Sequence, residues 1–268
     1  MFSRILVVVF PFVSYFLRIK TLRPKYEGNP KRKTFRKFSP SRIYNMSNKL
    51  EILNLGHESK REIVGEECMP QPPFRLCLIG SSHSGKSNLI KNLITRPEFG
   101  YPKHFGKNIF IISKTLLLDE TYSDLDLPKS HLYNSWQPDI IQEIMDYSKK
   151  QKNSVLMLID DMMSDADCFN KKQDNLLTTL FYMGRHYGVS LIITSQKYHS
   201  IPNGMLSNAS QLILFRLKTQ REIDSFYDSI TQYDNMAERY KYATDEKYSF
   251  LYCNLATSKC YKRFVEEI

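Results

Sequence analysis

Residues 80–87 read Gly-Ser-Ser-His-Ser-Gly-Lys-Ser and match G-x-x-x-x-G-K-[ST] at every defined position. The octapeptide directly follows an apolar run, Phe74-Arg-Leu-Cys-Leu-Ile79, and opens an amphipathic stretch beginning Asn88-Leu-Ile-Lys-Asn-Leu. Strand, tight loop and helix in this order admit few folds, because the strand must lie inside a sheet with the helix packed on its face. Gly80 and Gly85 let the backbone curl, so that the loop through Ser81, Ser82, His83 and Ser84 turns its N–H groups toward phosphate oxygens. The helix N-terminus adds partial positive charge. Lys86 is expected to reach the β/γ-phosphates of ATP and Ser87 to ligate Mg²⁺. His83 occupies a variable loop position and reads as an exposed bystander.

Such a site needs a carboxylate at the end of a buried strand. Val155-Leu-Met-Leu-Ile159 is a five-residue apolar run suited to a strand covered on both faces, and Asp160-Asp161 follow it directly. Acids there lie at the C-terminal edge of the sheet, where ligands bind in this class of fold. Asp160 is expected to hold the Mg²⁺ shell through water, and Asp161 to orient or deprotonate an attacking water. A further strand ends in Leu191-Ile-Ile-Thr-Ser-Gln196. If it runs between the loop strand and the acidic strand, Gln196 emerges beside the γ-phosphate, to hold the lytic water or report the nucleotide state. Otherwise it is a polar strand end. Arg185, in Met183-Gly-Arg-His-Tyr-Gly188, precedes that strand, and seven strand residues cover about 23 Å. It therefore serves either a neighbouring subunit, as an arginine finger, or only its own helix terminus.

The rest of the chain keeps the rhythm of βαβ units and a mainly parallel sheet. Strands are expected at Phe74–Ile79, Asn108–Ser113, Ser154–Asp160, Val189–Ser195 and Gln211–Leu217. Helices are expected at Ser87–Thr95, Pro138–Lys150, Lys171–His186 and Thr219–Ile230, and a β-hairpin at Tyr248–Leu255 and Lys259–Val265. The five cysteines form no C-x-x-C pair, which argues against a disulfide-stapled secreted module or a zinc ribbon and for a reducing, intracellular compartment.

The formal net charge of +10 suggests a nucleic-acid or membrane partner, but its distribution is uneven. Residues 1–49 hold twelve Lys/Arg against one acid, Glu27, whereas the remaining 219 residues are nearly balanced. Residues 2–17 are mostly apolar but shorter than the roughly 20 residues that span a bilayer. Residues 18–45 are basic and turn-rich. This organisation predicts an apolar segment plus a flexible basic arm over 1–45, followed by one nucleotide-binding domain over 46–268. Met46 offers an alternative start. Membrane contact through residues 2–17 is one use of the arm and DNA contact another.

In order and spacing, Gly80–Ser87, Leu158-Ile-Asp160-Asp161, Gly184-Arg-His-Tyr187 and Ile192-Ile-Thr-Ser-Gln196 resemble the genome-packaging ATPases of large DNA viruses. Those proteins, of poxvirus type, belong to the FtsK/HerA superfamily. The resemblance covers roughly residues 70–217. It implies an α/β P-loop NTPase of the additional-strand (RecA/FtsK-like) type, working as a homo-oligomeric ring that hydrolyses ATP to move double-stranded DNA. It further implies a glutamine sensor, carried here by Gln196, and a trans-acting arginine, carried by Arg185. Capsid-vertex or portal components would be further partners, and the protein could be associated with the virion. The superfamily often shows Asp-Glu where this chain has Asp160-Asp161, so the shorter Asp161 must approach its water more closely.

A motor must also grip its track. Lys197, Lys218, Arg221, Lys259, Lys262 and Arg263 are candidates for DNA contact or else solvated surface charges. A nucleotide or nucleoside kinase also pairs a phosphate loop with an acidic strand end, but such enzymes close an Arg-rich lid over the phosphates. Only Arg216 and Arg221 lie between Ser200 and Ser229. A nucleotide-gated, membrane-tethered adaptor is the non-enzymatic alternative, suggested by residues 1–45.

Overall fold

The computed structural model describes residues 62–116, 120–151, 154–162, 165, 168 and 176–268. The apolar segment, the basic arm and Met46 lie outside the described residues, as do residues 171–175 of the helix expected from Lys171. The described part falls within one compact unit, Ser59–Ile268.

Five strands carry the parallel sheet: β1 (Arg75–Ile79), β2 (Ile109–Ser113), β4 (Val155–Asp160), β5 (Val189–Ser195) and β6 (Gln211–Phe215), with the two-residue β3 (Leu132–Tyr133) at one edge. On the other edge, β7 (Phe250–Asn254), β8 (Lys259–Lys262) and β9 (Glu266–Glu267) continue the sheet antiparallel. The spatial order is β3-β2-β4-β5-β1-β6-β7-β8-β9. The decisive placement is β5, which pairs parallel with β1 on one side and β4 on the other. The extra strand thus runs between the loop strand and the acidic strand.

The same residues explain the layers. Side chains alternate across a strand, and successive residues of β4 enter different cores: Val155, Met157 and Ile159 one, Leu156 and Leu158 the other. β4 and β5 are buried along their whole length, which is why they read as continuous apolar runs rather than alternating ones. The face carrying Leu76 and Leu78 is covered by α1 (Lys86–Thr95) and α2 (Tyr101–Phe105). The opposite face is covered by α3 (Pro138–Lys150), α4 (Leu176–Tyr187), α5 (Asn203–Asn208), α6 (Gln220–Ser229) and α7 (Met236–Ala243).

The expected hairpin is present as β7 and β8, shorter than read and joined by β9. The short helices α2, α5 and α7 were not expected from the sequence. In α7, Met236, Tyr240 and Ala243 are buried at helical spacing, but the segment is only eight residues long and flanked by polar turns.

Candidate functional site

At the C-terminal edge of the sheet, β1 ends at Ile79 and the chain turns through Gly80–Gly85 into α1. Gly80 has no room for a side chain: a Cβ there would lie 2.6 Å from Ser84 Oγ and 2.7 Å from Phe215 Cβ. Gly85, the N-cap of α1, has φ +107°, a left-handed conformation that glycine adopts without strain. No side chain caps α1 and its first turn has no acidic residue. The leading N–H groups of the helix are therefore unopposed donors at its positive end. Ser84 Oγ is buried without a hydrogen-bond partner among the described residues. This donor set fits an anionic phosphate chain.

Lys86 Nζ donates to Gly80 O at 2.6 Å and to Ser81 O at 3.1 Å, folding the ammonium back onto the loop. Burial pulls its pKa below the ordinary lysine value, opposed by the nearby carboxylates of Asp160 and Asp161. Asp160 is buried and accepts from Thr194 Oγ1 at 2.6 Å and from Tyr122 OH at 2.9 Å. Burial raises its pKa; the two hydroxyls oppose the rise and Asp161 adds to it. Thr194 Oγ1 also accepts from the Asp161 backbone N at 2.9 Å, fixing the turn in which Asp161 adopts φ +52°.

Gln196 leaves the end of β5 and joins two sides of the site. Its Nε2 donates to Asp161 Oδ2 at 2.9 Å, and its Oε1 accepts from Ser82 Oγ at 3.0 Å. One cleft of about 620 Å³ is lined by Ser82–Asn88, Thr115, Thr121, Asp160, Asp161, Gln196 and Tyr248. Lys86, Ser87, Asp160, Asp161 and Gln196, which are far apart in sequence, thus face a common space. Ser87 and Asp160 both line this cleft and carry oxygen donors of the kind a divalent cation takes. His83 is exposed on the loop and lines the same cleft.

Arg185 stands apart from this group. It lies in the last turn of α4, exposed, at the opposite end of β5 from Gln196, and does not line the cleft. Sequence reasoning missed Tyr122, Thr194 and Tyr248. Thr194 had a signal, since it lies two residues before Gln196 on the strand that borders Asp160. Tyr122 and Tyr248 come from connections with no periodicity to reveal them.

The inserted β5, the phosphate-type loop and the acidic strand end together define an additional-strand P-loop NTPase of RecA/FtsK-like type. Residues 65–237 match the family described as Poxvirus A32 protein, and the chain belongs to that family. It is 30% identical over 149 residues to uncharacterized protein 015R of Frog virus 3 (isolate Goorha), covering 53% of this chain and 44% of that protein. It is 23% identical over 159 residues to uncharacterized protein 075L of Invertebrate iridescent virus 6, covering 57% and 58%. The chain thus spans about half the length of these curated relatives. Among solved structures, the genome packaging NTPase B204 from Sulfolobus turreted icosahedral virus 2, in complex with ATP-gammaS, superposes with a TM-score of 0.55. It is 20% identical, and the match covers 70% of this chain and 96% of that one. The B204 DNA-packaging ATPase of Sulfolobus turreted icosahedral virus gives a TM-score of 0.53 at 19% identity, over 70% and 96%. These likenesses establish the fold.

Proposed function

We propose that the protein is an ATP-hydrolysing motor that translocates double-stranded viral DNA into a capsid, acting as a homo-oligomeric ring with ATP and Mg²⁺. The observation that carries the enzymatic part is the convergence of Lys86, Ser87, Asp160, Asp161 and Gln196 on one cleft. Membership of the Poxvirus A32 family and the DNA-packaging role of B204 support the choice of DNA as the substrate moved.

ATP with Mg²⁺ supplies the phosphoanhydride and the cation that polarises it. Lys86 and the N–H groups at the start of α1 balance phosphate charge. Ser87 would ligate the cation and Asp160 would hold its shell through water, with the Asp160 carboxylate oriented by Thr194 and Tyr122. Asp161 orients or deprotonates the attacking water, and Gln196, bonded to its carboxylate, positions that water or reads the nucleotide state. Arg185 acts on the nucleotide of a neighbouring subunit. Work at the capsid vertex places the protein inside the infected cell.

The test is ATP hydrolysis by the full chain with and without added duplex DNA. The expected result is turnover that rises with duplex and is lost in Lys86→Ala. Turnover indifferent to duplex would count against a DNA motor while leaving an ATPase. Phosphate transfer to a nucleoside monophosphate would replace the motor with a kinase.

A further inference from the structure

Six cations outside the phosphate loop are candidates for contact with a polyanion, and the structure divides them into two sets. Lys259 pairs with Glu267 at 2.9 Å, Lys262 with Asp245 at 3.0 Å and Glu246 at 2.9 Å, and Arg263 with Glu246 at 2.6 Å. These three, on and beside the terminal hairpin, are already neutralised within the chain. Lys197, Lys218 and Arg221 are exposed and form no ion pair among the described residues.

The unpaired set is also gathered in space. Lys197 follows β5, Lys218 follows β6, and Arg221 lies in the first turn of α6. With Ser82, Gln196 and His199 they line one groove of about 400 Å³. β5 and β6 flank β1 on its two sides, so the strands that lead to Lys197 and Lys218 are about 10 Å apart at a sheet spacing of about 4.8 Å. One acid, Glu222, is on the groove wall, but it is buried in the start of α6, where its carboxylate accepts from Thr219 Oγ1 at 3.2 Å and its backbone N donates to the same oxygen. The groove keeps an excess of positive charge turned toward solvent.

We propose that this groove seats the sugar–phosphate backbone of duplex DNA, with Lys197, Lys218 and Arg221 each meeting a phosphate. The identity of the polyanion rests on the DNA-motor reading above; the existence and place of the site rest on the groove. Its position has a consequence. Gln196 and Ser82, hydrogen-bonded to each other, line both this groove and the nucleotide cleft. A backbone phosphate held by Lys197 therefore lies one residue from the amide that touches Asp161, and DNA occupancy can bias the arrangement of that amide.

The test measures binding of the full chain to a fluorescein-labelled duplex by anisotropy between 50 and 200 mM NaCl, the range being roughly that over which phosphate contacts separate. Each lost phosphate contact lowers the slope of log affinity against log salt by about 0.9. Lys218→Ala with Arg221→Ala should flatten the slope by about 1.8, weaken binding at least about tenfold near 150 mM salt, and remove stimulation of ATP turnover by duplex. Slope changes count lost contacts whatever the basic arm adds. Lys218→Arg with Arg221→Lys should restore the slope and so separates charge from damage to the fold, while Lys259→Ala with Arg263→Ala should leave it unchanged. A Lys218→Ala/Arg221→Ala protein that binds duplex with the wild-type slope and affinity overturns the groove and leaves the motor reading intact. A wild-type protein that hydrolyses ATP yet binds no duplex at 50 mM salt overturns both.

Discussion

Gln196 Nε2 donates to Asp161 Oδ2 at 2.9 Å while Gln196 Oε1 accepts from Ser82 Oγ at 3.0 Å, so a single amide bridges the acidic strand end and the phosphate loop. The Asp161 carboxylate can only accept, so the contact to it needs the donor that the Gln196 amide supplies, while the amide oxygen accepts from Ser82. Gln196→Glu replaces the donor with a second carboxylate oxygen facing Asp161. The two like charges would force that carboxylate out of position or into its protonated form. The expected result is a kcat for ATP hydrolysis reduced about 100-fold, with KM changed less than about threefold, because in the proposed mechanism the contact serves the reacting end of the nucleotide. Steady-state kinetics decide it: a raised KM at unchanged kcat would make Gln196 a binding residue only.

The parts of this site that were legible in the sequence share one property: each ends or begins a segment with a strong local pattern. The Gly80–Ser87 loop has its own motif, and Asp160 and Gln196 close the fully buried β4 and β5, whose unbroken apolar runs announce a covered parallel strand. Strand adjacency was not legible from these patterns alone, since nothing local says that β5 pairs with both β1 and β4. That expectation came with the family resemblance. Tyr122 and Tyr248 reach the cleft from irregular connections, where side-chain direction depends on the whole fold. The contrast between the paired hairpin cations and the unpaired groove cations also needed coordinates, because Lys262 meets Asp245 and Glu246 only after β7 and β8 have paired.

Asp160 carries a cost of burial. Its folded pKa is raised, first by burial, above the ordinary carboxylate value. Between that ordinary value and the raised one the native state holds the proton more tightly than the unfolded chain, so stability falls as pH rises through this window and the loss is complete above it. Asp160→Asn removes the charge. In magnesium-free buffer its thermal midpoint should exceed that of wild type near pH 7.5, with the difference closing toward pH 4. Each kcal/mol of relieved cost corresponds to about 2–4 °C in a domain of this size. A midpoint difference that stays constant across this range would show that the carboxylate is not penalised by burial.

Tyr248 stands at the rim of the cleft with 56% of its surface exposed, and a Cβ at Gly85 would lie 3.2 Å from its Cδ1. Lys247 Nζ lies 4.7 Å from the centre of this ring, and a nucleoside base that stacks on Tyr248 would compete with that ammonium or take the other face. Base–aromatic stacking is worth about 1–3 kcal/mol. Tyr248→Ala should therefore raise KM for ATP about fivefold or more, whereas inhibition by inorganic tripolyphosphate, which has no base, should be unchanged. Tyr248→Phe should behave as wild type. Equal weakening of both ligands would place Tyr248 in support of the loop rather than of the base.

Arg185 presents the sharpest geometric constraint on assembly. It is exposed at the end of α4 that leads into β5, whereas Gln196 leaves the far end of that strand. With about 3.3 Å of rise per residue, β5 separates the two by about 23 Å, beyond the reach of one arginine side chain to its own nucleotide. An Arg185 that assists hydrolysis must do so across a subunit boundary. Arg185→Ala should then bind ATP with wild-type affinity but lose about 1,000-fold or more in turnover, the scale of a missing arginine finger. Mixing provides the discriminating measurement. An Arg185→Ala subunit keeps an intact cleft and a Gln196→Ala subunit keeps its arginine, so neighbours of the two kinds reconstitute complete sites. Turnover should rise on mixing to well above either parent and peak near equal proportions. If every ratio gives only the average of the two parents, Arg185 takes no part in hydrolysis, and a ring would need another residue at its boundary.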